Sequence, residues 1–361
     1  MGLRLPQQTL PKGRQHQIRC QHRCLRFNPI KLETTKELDH YKALVAKIPA
    51  LKQEIAKTIV GQEEAVEEIL VALMAGGHCL LEGVPGLAKT LMVKTLSEAL
   101  DMKFKRIQFT PDLMPGDILG TEVLEEDHQT GKKFFQFNKG PIFANVVLAD
   151  EINRTPPKTQ AALLEAMQEK MVTYAGNDHA LPDPFLIIAT QNPIEQSGTY
   201  PLPEAQLDRF LLYIKLGYPS EKEELAVLER TTGTYKTEKQ TIFSAADIKS
   251  LQELTRQVHI SPELMQYITT LVRETRPETS KVDFVKKYTE WGAGTRAGQA
   301  LVLCSKARAI LKGRYSVIPE DIQTLIYPIL RHRLTLHFRA EAENISTDQV
   351  ISQMLKAIPF K

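Results

Sequence analysis

The sequence has 361 residues, of which 42% are hydrophobic and 25% are charged. Length and composition of this kind predict a globular protein of one large or two smaller domains, and they exclude collagen-like and wholly disordered chains. Apolar runs such as 146–149 and 185–189 are short, and no run reaches the roughly 18 residues that a membrane span needs. We therefore expect a soluble chain with no membrane insertion.

The formal net charge of +3 conceals an uneven distribution along the chain. Residues 1–32 carry seven Lys or Arg and no acid, which leaves 39 basic against 43 acidic residues in the remainder. Nucleic-acid binding depends on clustered Lys and Arg, so an acidic remainder argues against nucleic acid as the partner. Four cysteines do not suffice for a disulfide framework at this length, and no apolar signal segment opens the chain. We expect a cytoplasmic protein.

The pattern of apolar residues divides the chain into a tail and two domains. Residues 1–32 have no sustained apolar period, which predicts a disordered basic tail. An organelle transit peptide, or a start codon assigned too far upstream, would give the same composition. Between 33 and 218, short apolar strands alternate with helices, which predicts a parallel sheet with helices on both faces. From 219 to 361 the patterns are helical throughout, which predicts a smaller, all-helical domain.

Two segments interrupt this alternation and are predicted to be β-hairpins. The first spans Thr121–Phe137 and turns around Gln129-Thr130-Gly131. The second spans Met171–Asp183 and turns around Gly176-Asn177-Asp178. We interpret both as insertions in the α/β domain.

A phosphate-binding loop is predicted where GVPGLAKT follows a short apolar strand and opens a helix. Backbone N–H groups of such a loop surround phosphates, Lys89 reaches the β- and γ-phosphates, and Thr90 ligates Mg²⁺. The general pattern has glycine at position 88, whereas Ala88 would need a negative φ or a local adjustment. A surface turn with a chance Lys-Thr pair is the alternative. The predicted nucleotide-binding residues of this loop are Gly83, Val84, Pro85, Gly86, Leu87, Ala88, Lys89, Thr90 and Leu91.

Polar residues end the next buried strands and complete a candidate hydrolytic site. The apolar run 146–149 leads into Asp150, a candidate Mg²⁺ ligand, and Glu151, which would orient or deprotonate the attacking water. A helix N-cap at Asp150 is the alternative. Asn192, at the end of IIATQNP, is a candidate to hold that water, although Asn-Pro is also a common turn pair. Arg209 precedes the last strand and is expected at the edge of the domain.

Together these motifs closely resemble the MoxR family of AAA+ ATPases, which belongs to the helix-2-insert group. The resemblance covers about residues 36–361. It also rests on Ile59-Val60-Gly61-Gln62 and on GAGTRA at 292–297. In this family alanine is common before the loop lysine, and two insertions occur where the hairpins are predicted.

The resemblance implies a role for each matching residue. Val60 and Gly61 would line the adenine pocket, and Asn192 would be sensor 1. Arg209 would be the arginine finger that acts on the γ-phosphate of a neighbouring subunit, and Arg296 would be sensor 2, acting either in cis or in trans. The family also implies ATP and Mg²⁺ as cofactors, a ring that is typically a hexamer, and a protein client, for example one with a von Willebrand factor A domain.

The sequence leaves other functions open. A nucleotide-gated scaffold without significant turnover would not need Glu151 or Arg209, so the presence of both residues counts against it. A magnesium-chelatase-type ATPase subunit uses the same core and is harder to exclude. A nucleic-acid motor related to minichromosome-maintenance helicases is disfavoured by the acidic body of the chain.

Overall fold

In the computed structural model, the described residues are 35–126, 129, 131, 133–194, 198–233 and 239–360. The predicted tail at 1–32 lies outside them, as do some residues of the first hairpin turn. Leu32–Lys361 forms one compact unit. Within the described residues, no helix is both long enough and apolar enough to span a membrane.

Helices and strands alternate in the first part of the chain, as predicted. In chain order they are α1 (Thr35–Ala56), α2 (Glu63–Ala75), β1 (Cys79–Glu82), α3 (Lys89–Ala99), β2 (Phe104–Gln108), α4 (Pro115–Leu119), β3 (Gly120–Glu126), β4 (Lys133–Lys139), β5 (Val146–Asp150), α5 (Pro157–Glu169), β6 (Met171–Tyr174), β7 (Asn177–Ala180), β8 (Leu186–Gln191), α6 (Glu204–Leu207) and β9 (Leu212–Lys215).

Five of these strands form a parallel sheet in the order β2-β5-β8-β1-β9. Successive strand residues point to opposite faces. On one face, Leu81 and Leu148 pack in a core that includes α1, α2 and α3. On the other face, Leu80 and Val147 pack in a second core that includes α5. The predicted α/β fold is confirmed, and the carboxyl ends of the five strands share one edge of the sheet.

The second part of the chain is helical. Its elements are α7 (Glu221–Thr232), α8 (Ala245–Gln257), α9 (Pro262–Glu274), α10 (Asp283–Tyr288), β10 (Thr289–Trp291), α11 (Thr295–Leu311), α12 (Pro319–Leu330), β11 (Thr335–Leu336), α13 (Phe338–Ala342) and α14 (Thr347–Ala357). The expectation that no strand follows 219 is wrong in one detail, because β10 and β11 pair antiparallel. Strands of two or three residues are too short to give an alternating pattern.

Both hairpins are present at the predicted places. β3 pairs with β4 and β6 pairs with β7, each antiparallel. The second turn is shifted by one residue from the prediction, because Tyr174 pairs with Asn177 and the two residues between them form the loop. Ala175 and Gly176 have φ values of 49° and 80°, as a two-residue turn of this hand requires.

The two cysteines in the described part of the chain are core residues. Cys79 lies in β1 and Cys304 in α11, and both are free thiols with no exposed surface. Burial raises the pKa of each thiol, so neither forms the reactive thiolate near neutral pH. Both side chains therefore serve as packing residues of the core.

Candidate nucleotide-binding site

The phosphate-binding loop joins β1 to α3 at the carboxyl edge of the sheet. A side chain at Gly83 would meet Leu216 Cβ at 2.9 Å, so glycine allows the loop to pass close to the end of β9. Lys89 Nζ donates to the carbonyl oxygen of Gly83 at 2.5 Å. The lysine therefore already lies across the loop, where a bound phosphate would meet it.

Ala88 adopts the backbone conformation that the general motif reserves for glycine. It has φ 55° and ψ 24° and forms the N-cap of α3. Of the two alternatives that the sequence left open at this position, a negative φ is not observed, because the loop and the first helical turn hold the residue in the left-handed region. Alanine is strained there by about 1–2 kcal/mol. The shape of the loop is kept in spite of the substitution.

Asp150 is the last residue of β5 and is buried among hydrogen-bond donors. Thr190 Oγ1 donates to its Oδ1 at 2.6 Å. Arg106 donates to its Oδ2 from Nε at 2.9 Å and from Nη2 at 2.7 Å. These three charge-assisted and hydroxyl hydrogen bonds fix the orientation of the carboxylate at the carboxyl edge of the sheet. The alternative role of Asp150 as a helix N-cap is not seen, since Glu151 occupies the N-cap of the short 3-10 turn at Ile152–Arg154.

Glu151 lies in the left-handed region with φ 58° and ψ 50°. Its backbone N–H donates to Thr190 Oγ1 at 2.8 Å. Its carboxylate accepts a hydrogen bond from Gln108 Nε2 at 2.7 Å and pairs with Arg154 Nε at 3.2 Å. Backbone strain of this kind persists only where the surroundings enforce it, and it is concentrated at functional sites.

Asn192 follows β8 and is 5% exposed. Its Oδ1 accepts from the N–H of Ile194 at 3.2 Å, so the turn anticipated for Asn-Pro is present. The amide Nδ2 makes no hydrogen bond to any residue that the structure describes. Asn192 therefore stabilises the turn through its Oδ1. Its Nδ2 remains available as a donor at the sheet edge that carries the P-loop and Glu151.

The two predicted arginines lie together at the opposite edge of the sheet. Arg209 precedes β9 and lines a cavity of about 270 Å³ with Arg296, which begins α11. Asp208 links the group, since it accepts from Arg333 Nε at 2.7 Å and pairs with Arg296 Nη1 at 3.4 Å. Within the described part of the chain, Arg209 has no ion pair or hydrogen bond through its side chain.

The predicted adenine side of the site is closed by direct contacts. Gly61 and Gln62 have φ values of 70° and 60° and lead into α2. Gln62 Nε2 donates to the carbonyl oxygen of Gly217 at 2.8 Å. A side chain at Gly61 would lie 2.7 Å from Glu223 Oε1, so α7 covers the Val60–Gly61 segment. Binding of a base at this place requires the Glu223 side chain to turn away from Gly61.

The donor set at the carboxyl edge suits Mg²⁺ bound together with phosphates. Thr90 offers a hydroxyl with no hydrogen bond in the described structure, and Asp150 offers a carboxylate. Hydroxyl, carboxylate and phosphate oxygens are the ligands that Mg²⁺ prefers. Among the described residues, no group of three or more His, Cys, Asp or Glu is placed to hold a metal. The residues present therefore fit a metal that arrives with a nucleotide.

Sequence reasoning missed three residues that organise this edge: Arg106, Gln108 and Thr190. The first two lie two residues apart in β2, and β2 pairs with β5 so that Gln108 is opposite Asp150. Polar residues at alternate positions of a strand share one face, and this signal was available in the sequence. Thr190 lies in a different strand, β8, next to Gln191, and no sequence pattern marked it as part of the site.

Family models place this fold and site in a known class. A model of the ATPase family associated with various cellular activities (AAA) matches residues 78–212. A model of the AAA lid domain matches residues 283–354. The sheet, P-loop and helical part described above therefore form an AAA ATPase core followed by a lid.

Comparison with individual relatives identifies the family within this class. Chaperone MoxR1 of Mycobacterium tuberculosis is 44% identical over 321 residues, which cover 88% of this chain and 84% of that protein. Protein MoxR of Methylorubrum extorquens is 26% identical over 324 residues, covering 85% of this chain and 92% of that protein. A crystal structure of an inferred ATPase from Cytophaga hutchinsonii is 44% identical, has a TM-score of 0.85 and covers 91% of this chain and 99% of that chain. The chain belongs to the MoxR family of AAA+ ATPases.

Proposed function

We propose that this protein hydrolyses ATP with Mg²⁺ in a self-assembled ring and uses the energy to remodel, mature or activate a partner protein. The observation that carries the proposal is the division of the site between two edges of one sheet. The P-loop, Asp150, Glu151 and Asn192 share the carboxyl edge, whereas Arg209 and Arg296 share the amino edge. Neither half is complete without the other.

At the carboxyl edge, the residues suit phosphate binding and activation of water. Backbone N–H groups of the P-loop and the Lys89 amine would bind the phosphates, and Thr90 and Asp150 would hold the metal. The metal, when bound, would offset the charge of the β- and γ-phosphates. Glu151 would orient or deprotonate water once its carboxylate leaves Gln108 and Arg154, and Asn192 Nδ2 is free to donate to that water.

The arginines are placed to act on another subunit. Strand β9 has four residues, and a strand rises about 3.3 Å per residue, so a strand length of roughly 13 Å separates Arg209 from the edge that carries its own P-loop. Arginine fingers supplied by a neighbour are worth about 10³–10⁵ in rate. Since Arg296 shares the cavity with Arg209, we assign both to the neighbour's nucleotide. This arrangement favours a ring, and the family suggests a hexamer.

The proposal also includes the kind of client protein and the cellular compartment. A relative that is named a chaperone supports a protein client, and a von Willebrand factor A domain protein is the candidate that the family resemblance suggests. The free, buried thiols of Cys79 and Cys304 suit a reducing compartment, and we propose the cytoplasm. The alternatives are a nucleotide-gated scaffold and a magnesium-chelatase-type subunit. Either would share this core, and only the scaffold would lack turnover.

Phosphate release measured against protein concentration, with the molecular mass followed by light scattering in Mg-ATP, tests the proposal on the full chain. We expect activity per chain to rise with assembly and to fall at least a hundredfold in Lys89→Ala and in Glu151→Gln. Lys94→Ala, an exposed lysine of α3 outside the loop, is the matched control. Rings without phosphate release would favour the scaffold, and full turnover by Lys89→Ala would refute the site.

A further inference from the structure

Helices α9 and α11 enclose an apolar groove on the surface of the lid. The cavity has a volume of about 700 Å³. It shares Gln299 and Leu303 with the cavity that contains Arg209 and Arg296, so the two cavities are adjacent. The groove therefore lies beside the two arginines that are proposed to reach a neighbour. Its apolar lining includes Met265, Ile268, Val272 and Val302, and its rim carries Arg273 and Arg276.

Helix α7 carries an apolar pair that nothing covers in the described structure. Leu225 and Leu228 are each 59% exposed, and no residue of α7 is buried. Residues three apart lie on the same side of a helix, so the two leucines form one ridge. Glu221 and Glu224 precede them by one turn on that side. A ridge of leucines with acidic neighbours is thus exposed along α7.

Helix α7, which carries this ridge, lies beside the predicted adenine segment. Glu223 covers Gly61, and Arg230 Nη1 donates to the carbonyl oxygen of Ala56 at 2.9 Å. Both contacts hold α7 beside the predicted adenine segment. The ridge is therefore on a helix next to the predicted adenine segment, and the groove lies beside the arginine cavity. A ring of the proposed kind brings these two regions of neighbouring protomers together.

We propose that α7 of one protomer docks through Leu225 and Leu228 into the α9–α11 groove of the next protomer. The acidic residues of α7 complement Arg273 and Arg276 on the rim of the groove. The contact is head-to-tail. Its repetition closes a ring when the rotation that relates neighbouring protomers adds up to a full turn. It also holds the arginine face of one protomer against the nucleotide face of the next. This inference rests on the proposed ring ATPase and supplies the contact that would build it.

The test compares two variants that each damage one side of the contact. Leu225→Glu with Leu228→Glu alters the ridge, and Thr269→Glu with Arg273→Glu alters the groove rim. All four positions are exposed, so the fold should persist. A control pair, Trp291→Glu with Phe338→Glu, changes equally exposed apolar residues elsewhere. Each variant is made in the Glu151→Gln background, and its mass is measured in Mg-ATP by light scattering.

We expect the dissociation constant for assembly to rise about tenfold or more in the ridge and groove variants and to stay unchanged in the control. A mixture of the ridge and groove variants retains one intact contact and should form dimers that grow no further. Binding of a fluorescent ATP analogue to single protomers should be unaffected.

Assembly of both variants at the parent's concentration would overturn the docking contact alone. Failure of the parent itself to assemble would overturn the ring proposal together with this contact, so the two failures are distinguishable.

Discussion

At the scale of single residues, both acidic groups of the site are held by side chains of β2. Arg106 donates twice to Asp150, and Gln108 donates to Glu151 and accepts from Arg106 at 2.5 Å. Asp150 and Glu151, the proposed metal ligand and the proposed water-orienting group, are therefore connected through one strand. A bound metal or water would compete with these hydrogen bonds from β2 for the carboxylate oxygens.

Replacing Arg106 by glutamine should strengthen Mg²⁺ binding. The guanidinium neutralises Asp150, and its side chain is 48% exposed, so the pair is worth only about 0.5–1 kcal/mol. We expect the Mg²⁺ affinity of the ATP-bound Glu151→Gln protein to rise about two- to fivefold in a metal titration with a fluorescent ATP analogue. Lys105→Gln, one position earlier on the same strand, is the control. Weaker Mg²⁺ binding in Arg106→Gln would show that the arginine orients Asp150 for the metal.

Ala88→Gly should stabilise the fold, which is unusual for glycine at the start of a helix. The change removes about 1–2 kcal/mol of left-handed strain from the folded state. Glycine also gives the unfolded chain more conformational entropy, which lowers the free energy of unfolding by about 0.4–1 kcal/mol. We expect the free energy of unfolding to rise by about 0.5–1 kcal/mol in urea titrations. Ala161→Gly, in the exposed interior of α5, should lower it by about 1 kcal/mol. A loss of stability in Ala88→Gly would contradict the left-handed conformation of residue 88.

At the scale of elements, helix α2 buries a carboxyl group, Glu68, that has no ion-pair partner among the described residues. Glu68 is 8% exposed and makes no hydrogen bond to the described residues. Burial raises the pKa of its carboxyl to about 8, against the smaller opposing effect of Arg331. The carboxyls of Glu64, Glu67 and Asp348 act in the same direction as burial. Glu68 is therefore neutral in the folded state near pH 7 and ionised in the unfolded state.

This pKa difference makes stability depend on pH. The folded state binds the proton more tightly than the unfolded state, so stability falls as the pH rises from about 4.5 to about 8 and is level above that. Glu68→Gln removes the effect and should raise the free energy of unfolding by on the order of 3 kcal/mol at pH 7. Unfolding measured at pH 5, 7 and 8 should show the gain growing with pH, whereas a constant gain would contradict the raised pKa.

The elements that the sequence predicts best are those whose signal is local. The P-loop and the buried strand ending at Asp150 each carry their pattern within a dozen residues, and both are found where predicted. The Arg106–Asp150 pair and the β10–β11 ladder depend on residues about 44 apart, so no local pattern reports them. The conformation of Ala88 could not be decided from the sequence, because the intrinsic preference of alanine opposes the conformation that the loop requires.

At the scale of the whole molecule, buried arginines fix the lid to the sheet. Arg333 has a 4% exposed side chain and donates to the carbonyl oxygen of Phe210 at 2.7 Å. Arg331 Nη1 donates to the carbonyl oxygen of Tyr213 at 3.0 Å. Both contacts hold the segment after α12 against β9 and against the residues that precede this strand. Because Asp208 also pairs with Arg296, the start of α11 is held beside Arg209. The arginine face is therefore a structural unit made from both parts of the chain.

A mixing experiment tests whether this face serves a neighbouring nucleotide. Lys89→Ala keeps both arginines but disables its own P-loop, and Arg209→Ala keeps its P-loop but lacks the finger. If Arg209 acts in trans, a mixed ring contains sites with an intact P-loop from one variant and an intact finger from the other. We expect phosphate release by the equimolar mixture to exceed the sum of the separate variants, with a maximum at intermediate ratios.

The same mixture made with Arg296→Ala in place of Arg209→Ala assigns the second arginine. Recovery of activity there means that Arg296 also acts on the neighbour, as its place in the Arg209 cavity indicates. Activity that stays at the sum of the two variants at every ratio would instead put Arg296 in cis. That result requires the lid to move the start of α11 from the amino edge of the sheet to the edge that carries the P-loop, and it would have to break the Asp208 contact to do so.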